Sequence, residues 1–187
     1  MADRDKSRRL FAGIRLDDLT RAACAAAGGR LQRTGFPARY EAADKLHVTL
    51  AFLGNVAQSQ YDAVIAALEG AAGGNVVLEL TLDKLGAFPH ERRPRVVYVG
   101  AREQGAPFRA LARRVHERYA ALGFTFVDDP VAHVTIARVK EPQCPLPIIE
   151  FAPIALRADS LTLFESIFDS KAKTSRYEVR GEVPLSS

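Results

Sequence analysis

The chain has 187 residues, 48% hydrophobic and 26% charged, with a formal net charge of +4. It is long and apolar enough to bury a core without disulfide or metal staples, and the composition excludes a disordered chain. No apolar run approaches the ~20 residues of a membrane span, which argues against a helical membrane protein.

Taken in chain order, "RRLFAGIRL" (residues 8–16) reads as a strand; its apolar stretch is too short for a signal-peptide core. Asp17 is a helix N-cap, and the Ala-rich run behind it is expected to end near Gly28-Gly29. "KLHVTLAFLG" is a strand, "SQYDAVIAALEGAAGG" a helix ending at Gly73-Gly74, and "NVVLELTLDKLGAF" one long strand. "PRVVYVGA" is a strand. In the next segment Phe108, Leu111, Val115, Tyr119 and Leu122 recur at helical spacing, leaving His116 on the solvated side. "VAHVTIARV" is a strand, "EPQCPLP" a loop, and "APIALRADSLTLFESIF" and "SRYEVRGEVPL" supply the last strands, with fraying expected at the final residues. Cys24 and Cys144 lack CxxC spacing, which points to a reducing, cytoplasmic setting.

The pattern repeats. His-Val-Thr followed by Leu or Ile occurs at His47 and again 86 residues later at His133, each time after a strand and a helix. A second spacing of 81 residues relates "LTL" at Leu80 to Leu161 and "RVVYVG" to "RYEVRG". The order of elements predicts an α+β fold over residues 1–187: a single domain of two pseudo-symmetric lobes of antiparallel sheet, helices outside, and a cleft between.

Alternate residues of a strand share a face, so His47 and Thr49 point away from Val48 and Leu50, and His133 and Thr135 away from Val134 and Ile136. If a two-fold relates the lobes, both His/Thr faces meet in one cleft. One imidazole can then donate a proton while the other accepts one, and the threonine hydroxyls can hold phosphate oxygens. Two histidines do not complete a zinc site, and neither cysteine has ligand spacing to them, so no metal or other cofactor is called for. The chemistry that fits is metal-free cleavage of a phosphodiester by in-line attack.

At these residues the chain resembles the 2H phosphoesterases, and within them the RNA 2′,3′-cyclic phosphodiesterase family, also called 2′-5′ RNA ligase. "LHVTLAFLG", "HVTIAR", "RLFAGIRL", "PRVVYVG" and the closing "SLTLFESIF…SRYEVRGEV" carry the likeness over nearly the whole chain. Ala132 stands where the family usually has proline, and Tyr40 where many relatives have tryptophan. The resemblance implies a monomer acting on RNA ends that carry a 2′,3′-cyclic phosphate. His47 would be the general acid and His133 the general base, with a 2′-phosphomonoester as product, alongside reversible 2′-5′ RNA ligation. Thr49, Thr135 and Arg138 would bind phosphate and Phe52 would lie near the base. Phe52 and Arg138 both have the wrong parity for the His/Thr face on a regular strand, and a bulge is needed to bring either in. Flanking phosphates could meet Arg92, Arg93 and Arg95, or Lys171, Lys173 and Arg176. The rival readings are a relative cleaving 2′-5′ linkages or other cyclic phosphates, and an RNA-binding module without turnover.

Overall fold

The computed structural model describes residues 7–185 apart from 75, 128 and 172. In chain order the elements are β1 (Arg8–Arg15), α1 (Asp18–Arg33), β2 (Arg39–Tyr40), β3 (His47–Val56), α2 (Tyr61–Ala72), β4 (Leu78–Leu82), β5 (Lys84–Phe88), β6 (Val96–Gly100), α3 (Ala106–Ala120), β7 (His133–Arg138), β8 (Ile154–Ala158), β9 (Ser160–Asp169) and β10 (Thr174–Pro184).

The main sheet runs β10-β9-β1-β3-β7-β6-β5, with β2 added to β7, and the pairings are antiparallel. Its two halves join between β3 and β7 through the pairing of Val48 with Val134. A second, two-stranded sheet pairs β4 with β8, centred on Leu80 opposite Leu156. Both central pairings lie on a pseudo-two-fold that exchanges β3 with β7, β1 with β6 and β9 with β5. The sheet order therefore realises the 86-residue repeat as two like halves.

The 81-residue spacing is not structural. Leu80 belongs to the small sheet and Leu161 to the main one, while β6 is an inner strand and β10 an edge. The equivalent segments are β4–β5 and β8–β9, 76 residues apart. The expected long strand over residues 75–88 breaks at Asp83, whose N–H donates to the Gly100 carbonyl at 2.9 Å and whose carboxylate accepts from the Arg102 N–H. The last long segment breaks likewise at Asp159, whose carbonyl accepts from the Leu185 N–H at 2.7 Å.

Asp17 caps α1 as expected, its carboxylate accepting from the Thr20 N–H at 2.7 Å. The helix does not stop at Gly28-Gly29; it continues to Arg33. Gly28 is buried, and a Cβ built there would sit 3.7 Å from the Ile136 Cβ, so this glycine marks close packing of helix on strand. The chain turns instead at Gly35, where φ is +77°.

The helices cross over. α1, which follows β1, packs against β7 and β8, while α3, which follows β6, packs against β3; α2 packs on α3 and on β9 and β10. Cys24 and Leu31 of α1, Val64 and Leu68 of α2, and Phe108, Leu111, Val115 and Tyr119 of α3 are buried. Each fully buried large apolar side chain contributes about 1.5–3 kcal/mol relative to exposure. Each half's motif strand is thus held by the other half's helix, which fixes the two strands relative to each other.

Candidate active site

The motif strands fold as their alternation predicts. Val48, Leu50, Val134 and Ile136 are buried, while His47, Thr49, His133 and Thr135 are half-buried and line one cavity of about 690 Å³. The register that pairs Val48 with Val134 places residue 47 across from 135 and 49 across from 133. The cavity therefore straddles the joint between the halves, with one His/Thr pair from each.

Both motif strands bulge at the fourth motif residue. In the β1–β3 ladder Ala12 pairs with Ala51 and Gly13 with Thr49, leaving Leu50 out; in the β6–β7 ladder Val97 pairs with Ala137 and Tyr98 with Thr135, leaving Ile136 out. One extra residue reverses the alternation beyond it. Phe52 and Arg138, each five residues after its histidine, are thereby turned into the cavity beside the His/Thr face.

Each imidazole is anchored by the backbone two residues before it. His47 Nδ1 lies 2.6 Å from the Lys45 carbonyl and His133 Nδ1 2.7 Å from the Val131 carbonyl. A carbonyl only accepts, so Nδ1 carries the hydrogen and Nε2 is left for chemistry. His47 Nε2 is 3.0 Å from the Thr49 hydroxyl.

Each ring also rests on an aromatic platform. Phe11 of β1 lies 4.9 Å from the His47 ring and stacks on Phe164 of β9 at 4.9 Å. Tyr98 of β6 lies 5.2 Å from the His133 ring and stacks on Phe88 of β5 at 4.6 Å. The pseudo-two-fold exchanges these pairs. Strand alternation alone does not mark them, although "FAG" at Phe11 and "YVG" at Tyr98 repeat the spacing of aromatic and glycine. In the second copy the glycines serve the stacking: a Cβ at Gly86 would fall 2.5 Å from the Tyr98 ring, and one at Gly100 2.9 Å from it.

Burial on these platforms lowers both histidines below their usual range. For His47 the Lys45 carbonyl acts in the opposite sense, His133 and Arg138 lower it further and Glu41 raises it. For His133 the Val131 carbonyl opposes burial and Arg138 adds to it.

Arg138 is held from β2's end of the sheet. Its Nε donates to Glu41 Oε1 at 2.8 Å, and the Glu41 N–H donates to the carbonyl of the bulged Ile136. Tyr177, which no motif in the sequence marks, lines the cavity and meets the His47 ring edge-on at 5.2 Å. His116 is not solvated as expected. It is half-buried at the cavity wall, its Nε2–H donating to the Leu50 carbonyl at 2.9 Å and its ring stacked on Phe126 at 4.0 Å. The bulge at Leu50 aims that carbonyl out of the ladder, and α3 crosses over to meet it. His90, Arg92, Arg93 and Arg95 do not line the cavity; Arg95 donates to the Lys140 carbonyl. Arg176 pairs with Glu178. Among the described residues no three His, Cys, Asp or Glu side chains are grouped to hold a metal ion, and no helix is long and apolar enough to cross a membrane.

The profile of the 2′-5′ RNA ligase superfamily matches residues 20–167. The chain belongs to the 2′-5′ RNA ligase superfamily. An RNA 2′,3′-cyclic phosphodiesterase of Geobacillus stearothermophilus is 33% identical over 149 residues, 74% of this chain and 45% of that protein. One of Archaeoglobus fulgidus is 36% identical over 97 residues, covering 52% and 53%. The chain thus spans about half the length of these curated relatives. The crystal structure of E. coli LigT complexed with 3′-AMP superposes with a TM-score of 0.76 at 26% identity, covering 97% of this chain and 100% of that one. For a member of this superfamily, Ala132 replaces the proline expected before the second histidine. Its N–H donates to the Gln104 side-chain oxygen, a bond that proline could not make.

Proposed function

We propose that the protein is an RNA 2′,3′-cyclic phosphodiesterase that works by two-histidine acid–base catalysis without a metal. The observation that carries this reading is the pairing at the joint: two imidazoles, each tied at Nδ1, lining one cavity together with Thr49 and Thr135. The superfamily membership and the names of the curated relatives support the substrate class.

The cyclic phosphate sits between the two motifs. His133 Nε2 takes a proton from a water molecule as the water oxygen attacks phosphorus. The bond from phosphorus to the ribose 3′ oxygen breaks in line, and His47 Nε2–H protonates that oxygen. The product is a 2′-phosphomonoester, and exchange with solvent restores both rings. Thr49, Thr135 and Arg138 hold the phosphate oxygens, where charge accumulates in the transition state. Phe52, 61% exposed at the cavity mouth, is a stacking surface for the terminal base. With a 5′-hydroxyl end of RNA replacing water as the nucleophile, the same forward exchange of protons joins two RNAs by a 2′-5′ linkage; run backwards, with His47 as base and His133 as acid, it cleaves that linkage and re-forms the cyclic phosphate. One chain supplies every member of the site, which supports action as a monomer.

The test is hydrolysis of an RNA oligonucleotide ending in a 2′,3′-cyclic phosphate, with EDTA present and the product isomer identified. A 2′-phosphate from wild type, with turnover reduced about 10²–10⁴-fold in both His47→Ala and His133→Ala, is the expected result. A 3′-phosphate overturns the acid–base geometry, and full activity in either variant overturns the two-histidine reading.

A further inference from the structure

The cleft does not end at the histidines. A second cavity of about 360 Å³ adjoins the first and shares Phe52, Arg138 and Tyr177 with it. Five cationic side chains line it, Arg9, Arg39, Lys45, Arg138 and Lys173, against the single carboxylate of Glu41. Arg138 and Arg39 both face that carboxylate, at 2.8 and 3.9 Å. Lys45 donates to the neutral hydroxyl of Thr174 at 2.6 Å. Among the described residues no carboxylate pairs with Arg9, Lys45 or Lys173.

These three unneutralised cations come from separate parts of the chain: β1, the turn before β3, and the β9–β10 turn. The fold brings like charges to one hollow, an arrangement whose repulsion a bound anion relieves. Aromatic surface lines the same hollow: Phe168, 67% exposed, and Phe52 both contribute to it. Cations for a phosphate next to an exposed ring for a base form the pattern that binds single-stranded nucleic acid. The other end of the first cavity differs. Its wall carries Phe126, Val127 and Val131 together with the acidic Asp129, and Arg138 is the one Lys or Arg among the cavity's lining residues. The two ends thus distinguish the polyanionic chain from the opposite side of the reacting phosphate.

We propose that the second cavity is the subsite for the nucleotide on the 5′ side of the reacting end. Its phosphodiester is held by Arg9, Lys45 and Lys173, and its base stacks on Phe168. The inference rests on the cyclic phosphodiesterase reading and narrows it: the preferred substrate is the end of a chain, not a free cyclic nucleotide.

The experiment compares hydrolysis of a 2′,3′-cyclic mononucleotide with that of a dinucleotide ending in the same cyclic nucleotide, for wild type, Arg9→Gln, Lys173→Gln and Phe168→Ala. A third substrate lacks the base at the 5′ position. Wild type is expected to favour the dinucleotide by about tenfold or more in kcat/KM, corresponding to a phosphate contact and a stacked base. Each variant is expected to lose about fivefold or more of that preference, mainly through KM, with the mononucleotide as the internal reference. Phe168→Ala should have no further effect on the substrate lacking the base, and the preference should shrink as salt rises. Equal kcat/KM for mono- and dinucleotide in wild type, or variants that reduce both substrates alike, overturns the subsite while leaving the two-histidine reading standing. Turnover of neither substrate by folded wild type overturns that reading, and the subsite with it.

Discussion

The ring of Phe11 lies 4.9 Å from the ring of His47, wholly buried beneath it. With Phe164 at 5.6 Å and Tyr177 at 5.2 Å, it encloses the His47 ring. Replacing Phe11 by Leu keeps an apolar floor but loses the stack on Phe164 and leaves space. We expect a loss of about 1–2 kcal/mol in stability, seen as a fall of several degrees in Tm. The His47 pKa should rise towards 6.5, read by NMR titration of the imidazole. An unchanged titration would show that the platform does not govern this histidine.

The pH dependence follows from the two lowered histidines. In the proposed mechanism the reactive form has His47 protonated and His133 neutral, so the rate falls on both sides of a bell centred between the two macroscopic pKa values of the pair. Both rings titrate below their usual 6.5 in the free protein. The optimum of kcat/KM, which reports the free enzyme, is therefore expected below pH 6.5. Bound phosphate favours the protonated ring, so the kcat profile should lie further towards alkaline pH. A kcat/KM optimum above pH 7 would contradict the assignment.

The ion pair of Arg138 with Glu41 provides a test with two signs. Arg138 lowers both histidines, so Arg138→Met should move the optimum to higher pH while reducing kcat/KM about 10–100-fold through loss of the proposed phosphate contact. Glu41 raises His47, so Glu41→Gln should move the alkaline limb to lower pH. Shifts in the same direction from both variants would show that their charges do not act on the rings.

Two glycines should respond in opposite ways to alanine. A Cβ on Gly13 would lie 2.3 Å from the Val48 carbonyl oxygen, so β3 must move at the motif. Gly13→Ala should cost about 1–3 kcal/mol and, by displacing His47 and Thr49, lower turnover at least about tenfold. Gly28→Ala meets only an ordinary 3.7 Å contact inside a helix and should stabilise by about 0.5–1 kcal/mol. Thermal denaturation of the two variants checks both directions.

The cysteines should be chemically unequal. Burial, and then the nearby Asp17, pushes the Cys24 thiol up to about 12, while Cys144 is exposed. A thiol reagent at pH 8 should label one site in the folded chain and a second only in denaturant. Rapid labelling of both in native buffer would contradict the packing of α1.

The sequence alone determined the chemical identity of the site. A tetrapeptide repeated on two strands, with apolar residues alternating against His and Thr, states which side chains face out of each half, because a strand's period of two is local. The Asp17 cap and the end of α2 at its glycine pair were legible for the same reason. What the tertiary structure decided was everything set by a partner strand or helix. The bulges at Leu50 and Ile136 exist only relative to β1 and β6, and they turn Phe52 and Arg138 into the cleft against their parity. The breaks at Asp83 and Asp159 are closed by bonds to Gly100 and Leu185, distant in the chain. His116 looks solvated from the polar residues around it, but α3 crosses to the other half and meets the Leu50 carbonyl. Periodicity specifies a face; which neighbour covers that face is a long-range contact, and no local pattern encodes it.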